Sequence, residues 1–396
     1  MKAIVSLNAG SSSIKFALYA LTGNGPLALA ASGKIEKIGI APRLVARTSD
    51  GTVLLERDWP DGAAMTHADL LGALFAWSAA YPLEGREVIA VGHRVVHGGT
   101  AFAAPMRVDA ALLDALEALC PLAPLHQPHN LAAIRAIAAL DPALPQVACF
   151  DTGFHQGRPE LATRLALPRA LHDQGVRRYG FHGLSYEYVA RRLAELDPAL
   201  AAGRVIVAHL GNGASLCAMT GGRSVDTTMG FTALDGLMMG TRCGSIDPGV
   251  VLHLQTQLGM SAAAVEAMLY HDSGLLGVSG ISSDMRTLAA SRDPRAEEAI
   301  ALFVWRAVRE IGALAAVLGG LDGIVFTAGI GENDAEVRRR ICAGIAWLGV
   351  TLDEGGNVAH APRISRPDSR IAVHIIPTDE ERMIALHTRA ALEASA

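Results

Sequence analysis

The sequence lacks several features that mark whole classes of protein. Only 5% of its residues are aromatic, no run of more than three basic residues occurs, and the formal net charge is −5, so we expect no nucleic-acid partner. The five cysteines are never spaced as CxxC, which argues against a zinc site and for a reducing, cytoplasmic compartment. No GxxxxGK[ST] motif occurs, and Gly211-Asn212-Gly213 fails as a dinucleotide fingerprint because Leu216 stands at the third glycine position.

A membrane-spanning segment and an export signal are also not expected. The longest uncharged run near the start, Phe16–Gly33, contains Gly23-Asn24-Gly25-Pro26, which is a strong turn signal. The apolar run after Lys2 stops at Asn8, so it is too short for the core of a signal peptide.

Apolar residues are plentiful, by contrast. The 396 residues are 51% hydrophobic, enough for two or three domains that each have a core. Strand-like segments alternate with amphipathic ones, which predicts an α/β protein. The clearest helix is predicted over Ala296–Gly320. The predicted strands are Ala3–Leu7, Glu87–Val91, Gln146–Phe150, Val205–Leu210, Ile324–Phe326 and Ile371–Ile376.

Two distant stretches have the same design. VSLNAGSSSIKFAL, from Val5, and VAHLGNGASLCAM, from Val207, each place a Gly/Ser-rich turn between two apolar strands. They predict two similar hairpins, which is consistent with a duplicated domain and equally with chance. In the first, Asn8–Lys15, the small residues, hydroxyls and lysine suit either an ordinary tight hairpin or a phosphate site.

Charged residues follow two of the predicted strands. Arg94 lies among glycine and β-branched residues and resembles a fork held ready for a carboxylate or phosphate. Asp151 follows Gln146–Phe150, where an Asx turn is the simpler explanation. A ligand site at the carboxyl end of a strand is the alternative.

Three further stretches combine polar residues with glycine. Arg177–Gly183 places two arginines, a tyrosine and His182 in a flexible frame. Asp226–Gly249 has no helical or strand period, and Arg242 is its only basic residue. A run this long is either disordered or functional, and its apolar content favours function. Thr327–Asn333 is predicted to follow a strand and to precede a helix that begins at Ala335, which suits an anion or a nucleotide.

A helix start is predicted near the C-terminus. Thr378 and Glu381 fit a capping box, S/T-x-x-E. That interpretation leaves Glu380 either exposed at the helix start or available to a metal.

Twelve motifs in one order identify a resemblance that covers nearly the whole chain. The motifs are LNAGSSSIKF, GHRVVHGG, APLHQP, FDTGFHQ, RRYGFHGLS, HLGNGAS, DTTMGFT, GLMMGTR, IDPG, SSDMR, AGIGEN and PTDEE. Each is modest evidence alone, but all twelve in collinear order are highly specific. The chain resembles the acetate kinases, short-chain carboxylate kinases of the actin/Hsp70/sugar-kinase superfamily.

This resemblance implies a fold and a reaction. The fold would be α/β, with two duplicated actin-like ATPase (ribonuclease-H-like) domains flanking a nucleotide cleft. Residues 1–149 with 378–396 would form the first domain, and 150–377 the second, with most of the ATP site. The reaction would be the reversible transfer of the γ-phosphoryl group of ATP to acetate, giving acetyl phosphate and ADP. Mg²⁺ or Mn²⁺ would be required, and a homodimer is implied.

The family's functional positions carry over to this sequence. The catalytic positions are Arg94, Asp151, His182 and Arg242. The acetate-binding positions are Arg94, Val96, Leu125, Phe181 and Ala233. The ATP-binding positions are Lys15, His209, Leu210, Gly211, Asn212, Gly213, Asp284, Met285, Arg286, Gly329, Ile330, Gly331, Glu332 and Asn333. The metal-binding positions are Asn8 and Glu380.

Two alternatives stay open at this point. The family commonly has proline where this chain has Ala233, and a smaller side chain would widen the acyl pocket for propionate or butyrate. The superfamily also contains actin- and Hsp70-like proteins, in which ATP switches a binding surface. The arginines argue against that class, because hydrolysis of ATP by water needs no carboxylate-binding fork.

Overall fold

The computed structural model of the protein describes residues 2–10, 13–23, 25–80, 87–124 and 126–394. The chain divides into two compact units, Met1–Gly153 with Asp379–Ala396, and Phe154–Thr378. Each unit contains one sheet with helices packed on it. No helix among the described residues combines the length and apolar character needed to cross a bilayer.

The first unit is built on an eight-stranded sheet in the order β5-β4-β3-β2-β1-β6-β8-β7. The strands are β1 (Lys2–Ala9), β2 (Ile14–Ala20), β3 (Ala28–Glu36), β4 (Arg43–Thr48), β5 (Val53–Asp58), β6 (Glu87–Val95), β7 (Met106–Arg107) and β8 (Gln146–Phe150). The helices before Gly153 are α1 (His67–Ala80), α2 (Ala110–Glu117) and α3 (Gln127–Leu140). A cluster of buried side chains from β1, β2, α1 and α3 forms the core under one face, with Leu7, Ile14 and Leu70 at most 1% exposed.

The second unit has a five-stranded sheet in the order β11-β10-β9-β12-β13. The strands are β9 (Arg204–Leu210), β10 (Ala214–Thr220), β11 (Arg223–Thr227), β12 (Gly323–Thr327) and β13 (Ala372–Ile375). Its helices are α4 (Glu160–Thr163), α5 (Arg169–Asp173), α6 (Gly183–Leu196), α7 (Pro198–Ala201), α8 (Pro248–Thr256), α9 (Ala262–His271), α10 (Gly274–Ser279), α11 (Met285–Ala289), α12 (Pro294–Val317), α13 (Ala328–Asn333), α14 (Ala335–Gly344) and α15 (Glu354–Val358).

The two sheets repeat one topology. In the order β3-β2-β1-β6-β8, the first two pairings are antiparallel and the last two are parallel. The order β11-β10-β9-β12-β13 has the same sequence of pairings. The two Gly/Ser-rich stretches are the β1–β2 and β9–β10 hairpins. The repeat therefore extends to five strands in each unit, which favours duplication over chance.

The chain returns to the first unit for its last helix, α16 (Glu380–Glu393). Ile384 and Thr388 of α16 are buried against the sheet. A Cβ atom at Gly92 of β6 would lie 2.1 Å from Thr388 Oγ1 and 2.6 Å from Ile384 Cγ2. Only glycine therefore allows the helix to approach the sheet this closely.

The predicted elements agree with the structure in position and differ at their ends. Helix α12 replaces the predicted Ala296–Gly320; it begins at Pro294 and is capped by Asp293, whose side chain accepts from Arg295 N. The helix predicted to begin at Ala335 is confirmed as α14, and Ala328–Asn333 of the preceding stretch forms the additional short helix α13, which was not predicted.

Candidate active site

An arginine–aspartate pair lies at the carboxyl ends of two strands of the first unit. Arg94, on β6, donates to Asp151 Oδ2 from Nε at 2.9 Å and from Nη2 at 2.5 Å. The Asp151 side chain is 1% exposed and that of Arg94 is 20% exposed. Asp151 Oδ1 is buried and has no hydrogen-bond partner among the described residues. One carboxylate oxygen therefore orients the guanidinium group, and the other remains unsatisfied.

Strand pairing explains why these residues meet although 57 positions separate them. β6 and β8 are parallel neighbours, and their register aligns Arg94 with Cys149. The ladder continues beyond β8, because Asp151 N donates to Val95 O at 3.0 Å. Parallel strands end at the same edge of the sheet, so both side chains are placed where α/β proteins bind ligands.

Asn8 and Glu380 complete this cluster. Arg94 Nη1 donates to Asn8 Oδ1 at 3.2 Å and lies 4.0 Å from Glu380 Oε2. Asn8 Nδ2 lies 3.5 Å from the same Glu380 oxygen. Asn8 is near the end of β1 and Glu380 is the first residue of α16. Four of the predicted site residues are thus brought together within the first unit.

Burial and charge oppose each other in this cluster. Burial raises the pKa of Asp151, and the neighbouring Arg94 guanidinium lowers it. Burial disfavours charge on Arg94, but Asp151 and Glu380 outweigh it and raise the pKa of the guanidinium. Burial lowers the pKa values of His93 and His97 to about 4. Near neutral pH these histidines are uncharged, so Arg94 supplies the positive charge on this strand.

The predicted capping box at the start of α16 was wrong. The N-cap residue is Asp379, whose Oδ1 accepts from Arg382 N at 2.8 Å and from the Tyr19 hydroxyl at 3.2 Å. Thr378 instead donates to Ser185 Oγ at 2.8 Å. The cap and the Tyr19 contact hold the helix start and so position the adjacent Glu380.

Lys15 lies directly opposite Asn8 in the β1–β2 pairing, so both side chains are on one face of the sheet. It lines a cavity of about 400 Å³ together with Tyr19, Asp379 and Glu381.

Three residues of the predicted sites lie outside the described residues. They are Ser11 and Ser12 of the β1–β2 turn and Leu125 of the predicted acyl site.

In the second unit, His182 and Arg242 converge on one glycine. A Cβ atom at Gly213 would lie 3.2 Å from Arg242 Nη2 and 3.3 Å from His182 Nε2. Arg242 Nη1 donates to the carbonyl of Ala233 at 2.7 Å. His182 precedes α6 with φ 60° and ψ 24°, a left-handed conformation that is uncommon outside glycine. Such strained residues cluster at functional sites.

A set of hydroxyl groups next to these residues was missed by the sequence analysis. Ser215 Oγ lies 2.8 Å from His182 Nδ1 and 2.5 Å from the Tyr186 hydroxyl. Ser185 Oγ lies 2.9 Å from His209 Nδ1. The His182 and His209 rings stack with centroids 4.2 Å apart. The only signal in the sequence was that these serines and Tyr186 lie within or beside the RRYGFHGLS and HLGNGAS motifs.

Three predicted ATP-binding segments lie close together in the second unit. A Cβ atom at Gly211 would lie 3.7 Å from Ala328 Cβ and 4.0 Å from Gly329 N, at the start of α13. A Cβ atom at Gly240 would lie 2.0 Å from Asn212 Oδ1 and 3.3 Å from Ser283 O, next to the start of α11. The β9–β10 turn is therefore adjacent to both helix starts.

Side-chain burial limits which atoms of the predicted ATP-binding residues are available to contact a ligand. Leu210 and Met285 are at most 3% exposed, so only their backbone is available. Asp284 caps α11 and pairs with the exposed Arg286. Glu332 Oε1 accepts from Ala328 N at 2.7 Å and from Thr378 N at 3.0 Å. Glu332 therefore has a structural function in α13.

A buried arginine that the sequence analysis did not single out supports the other end of α13. The Arg338 guanidinium, 0% exposed, donates to the carbonyls of Gly331 at 2.9 Å and Glu332 at 2.8 Å. These bonds satisfy carbonyl groups at the helix end, which have no partner within the helix.

The predicted acyl positions that can be described are apolar. Val96 and Phe181 are 5% and 1% exposed, and Ala233 is partly buried. Val96 belongs to the first unit, whereas Phe181 and Ala233 belong to the second.

Comparison with known proteins identifies the family. The model of the acetokinase family matches residues 3–386. The acetate kinase of Rhodopseudomonas palustris is 57% identical over 388 residues, which is 97% of each chain. Among solved structures, a propionate kinase from Francisella tularensis has a TM-score of 0.91 at 37% identity, covering 98% of this chain and 100% of that one. Porphyromonas gingivalis acetate kinase has a TM-score of 0.86 at 38% identity, covering 99% and 100%.

These matches span almost the whole chain, and the two sheets with one repeated strand order agree with duplicated actin-like ATPase domains. The α/β fold class predicted from the sequence is confirmed. The chain belongs to the acetokinase family.

Proposed function

We propose that the protein transfers the γ-phosphoryl group of ATP to acetate by direct in-line displacement, and that the reaction is reversible. The observation that carries this proposal is the Arg94–Asp151 pair, in which a guanidinium group at a strand end is held by one buried carboxylate. A planar fork of this kind suits a carboxylate or phosphoryl ligand.

Charge is the first requirement of this reaction. Acetate and the γ-phosphate are both anions, and a pair of unit charges about 4 Å apart repels by roughly 4 kcal/mol at an effective dielectric constant of about 20. In the proposal, Arg94 binds acetate, and Arg242 with the N–H of His182 binds the transferring phosphoryl group. Lys15 adds a further positive charge for the phosphates. These groups offset the repulsion without having to reorganise during the reaction.

The residues of the first unit also fit a divalent cation. Asn8, Asp151 and Glu380 provide amide and carboxylate oxygens, the ligands preferred by Mg²⁺ and Mn²⁺. The unsatisfied Asp151 Oδ1 supports this fit. No group of three or more His, Cys, Asp or Glu side chains forms a metal cluster in the described chain, as expected where substrate phosphates supply several ligands. The ion would neutralise phosphate charge; Asn8 and Glu380 are the residues proposed to hold it.

Asp151 acts by positioning in this proposal. A carboxylic acid has a pKa of about 4 to 5, so acetate is already ionised near pH 7 and needs no general base. A carboxylate beside two anions is useful only if it orients a cation. The two hydrogen bonds from Arg94 to Asp151 Oδ2 support that function.

The ATP site can be tested at Gly329. Nothing lies within 4 Å of a Cβ atom at this position, so Gly329→Ala should leave the thermal stability unchanged or slightly higher. If ATP contacts this backbone, the added methyl group should raise the KM for ATP about tenfold, equivalent to ~1.4 kcal/mol. Steady-state kinetics and thermal unfolding measure both effects.

The matched control is Gly72→Ala on α1, where an added Cβ atom also meets nothing within 4 Å. It should change neither KM nor kcat. An unaltered KM for ATP in Gly329→Ala would remove this segment from the proposed site.

A second acyl substrate is favoured by one residue. Ala233 is smaller than the proline common in the family, and its carbonyl is held by Arg242. One methylene group in an apolar pocket contributes only about 1–3 kcal/mol. The protein is therefore expected to phosphorylate propionate as well as acetate, with butyrate less well accommodated.

The reaction is tested by trapping the product with hydroxylamine. Incubation with ATP, Mg²⁺ and acetate should yield a hydroxamate, whereas an ATP-hydrolysing switch protein would release only phosphate. The values of kcat/KM for acetate, propionate and butyrate then rank the acids. Phosphate release without hydroxamate from any of the three would refute the proposed kinase activity.

We also propose that the protein works as a cytoplasmic homodimer. Four exposed large apolar side chains lie within a short part of the second unit, at Ile246, Val250, Leu252 and Leu258. In the proposal they belong to one apolar patch, a feature typical of surfaces that associate. Sedimentation equilibrium would give the mass of two chains if this is correct, and that of one if it is not.

A further inference from the structure

The imidazole of His182 faces a chain of two hydroxyl groups. Its Nδ1 atom lies 2.8 Å from Ser215 Oγ, which in turn lies 2.5 Å from the Tyr186 hydroxyl. Ser215 and Tyr186 are both 0% exposed. Bulk water therefore does not reach either hydroxyl group, and the protons of the chain are shared among these three residues.

Counting protons determines the direction of these hydrogen bonds. Ser215 has one proton and two partners, so it donates to one and accepts from the other. If His182 Nδ1 carried a proton, Ser215 would donate to Tyr186, and the tyrosine proton would then need another acceptor. None is found for Tyr186 among the described residues. The satisfied arrangement runs from Tyr186 to Ser215 to Nδ1, which leaves the ring proton on Nε2.

Burial supports this arrangement. It raises the pKa of Tyr186 well above the usual value for a phenol, so the tyrosine keeps its proton and acts as the first donor. The Ser215 hydrogen bond lowers this pKa to a smaller extent.

The neighbouring histidine has a parallel arrangement. Thr378 Oγ1 donates to Ser185 Oγ at 2.8 Å, and Ser185 Oγ lies 2.9 Å from His209 Nδ1. Because Ser185 accepts from Thr378, its own proton is directed to Nδ1. The two rings stack with an angle of 18° between their planes, and each has a serine hydroxyl group within hydrogen-bond distance of its Nδ1 atom.

We propose that Ser215 with Tyr186, and Ser185 with Thr378, are positioning residues that hold His182 and His209 in the neutral tautomer protonated on Nε2. His182 Nε2 and Arg242 Nη2 lie on the same side of Gly213. The histidine therefore presents an N–H donor beside a guanidinium group that already supplies the positive charge. A neutral donor avoids placing a second cation next to Arg242 and against the stacked ring of His209.

The tautomer can be measured without any assumption about activity. In protein labelled with ¹⁵N-histidine, the His182 signals are assigned by their loss in His182→Gln. The wild type should show an unprotonated Nδ1 and a protonated Nε2. Tyr186→Phe keeps the buried ring but removes the donor to Ser215, so the Nδ1-protonated form should become populated. A protonated Nδ1 in the wild type, or a spectrum unaltered in Tyr186→Phe, would overturn the proposal.

The catalytic consequence rests on the proposed function. Ser215→Ala should lower kcat about tenfold, less than the ~10²–10³-fold expected for loss of a transition-state donor itself. The KM values for ATP and acetate should stay within about twofold. Ser215→Thr, which keeps the hydroxyl group, should recover most of the activity. A change in KM alone, or no recovery with threonine, would contradict a positioning role.

Ser224→Ala provides the matched control. Ser224 Oγ lies 2.9 Å from Nδ1 of His155, another buried serine–histidine pair. His155 Nε2 lies 2.8 Å from the carbonyl of Phe181, which already determines its tautomer. This variant should leave kcat unchanged. If no acid yields a hydroxamate but the NMR spectra are as expected, the proposed kinase activity fails and the tautomer assignment stands. If hydroxamate forms but the NMR spectra differ from the expected ones, only the tautomer assignment is refuted.

Discussion

Replacing Arg94 by methionine is expected to lower kcat/KM for acetate by about 10³-fold and to destabilise the protein. The substitution removes the two hydrogen bonds to Asp151 Oδ2 and leaves a carboxylate that is 1% exposed without a counter-charge. Breaking one partner of a buried ion pair costs about 3–5 kcal/mol of unfolding free energy. Loss of a charge-assisted contact to the substrate costs a similar free energy of binding, which corresponds to the expected decrease in kcat/KM.

The double variant Arg94→Met with Asp151→Asn separates these two effects. Neutralising Asp151 removes the unpaired buried charge, so urea unfolding should show that most of the lost stability returns. Activity should not return, because the guanidinium group is still absent. Recovery of acetate turnover in the double variant would show that Arg94 does not bind the acid. Failure to recover stability would show that the pair is not the source of the destabilisation.

The second large effect is expected at Arg242. Arg242→Gln should lower kcat by about 10²–10³-fold with a much smaller change in the KM for either substrate, as for removal of a donor that acts on the transition state. Arg242 is oriented by its hydrogen bond to the Ala233 carbonyl at 2.7 Å, and its Nη2 lies beside His182 at Gly213. Arg242→Lys should not restore the rate, because an ammonium group cannot contact both the carbonyl and the phosphoryl group.

Initial rates over a matrix of ATP and acetate concentrations measure these parameters. Arg223→Gln is a suitable control, because Arg223 is an exposed arginine on β11 of the same unit. It should have wild-type kinetics. An Arg242→Gln enzyme changed only in KM would assign this arginine to ground-state binding.

Much of the fold was predictable because local patterns determined it. The predicted strands Gln146–Phe150 and Val205–Leu210 are apolar runs between turn residues. Both are present in the structure, and their ends agree with the prediction to within one residue. The helix ends were less predictable. Thr378 was expected to cap α16, but its hydroxyl donates to Ser185, 193 positions away, and Asp379 takes the cap instead. A contact this distant in sequence leaves no local pattern.

The candidate site was predictable residue by residue but not as an arrangement. The motifs identified Arg94, Asp151 and His182 as residues worth attention, although an Asx turn was the simpler explanation for Asp151 taken alone. Only the parallel pairing of β6 with β8 brings Asp151 to Arg94, the contact on which the proposed function of this carboxylate rests.

The sequence by itself determined the α/β class, the family and the identity of most candidate site residues, because hydrophobic periodicity and collinear motifs are properties of the chain order. The tertiary structure alone decided which atoms meet. Ser215 lies 33 positions from His182, and Ser185 lies 24 positions from His209. The tautomer that we propose for each imidazole therefore depends on how the β9–β10 hairpin packs against α6, since a hydrogen bond requires contact in space and the chain order does not specify it.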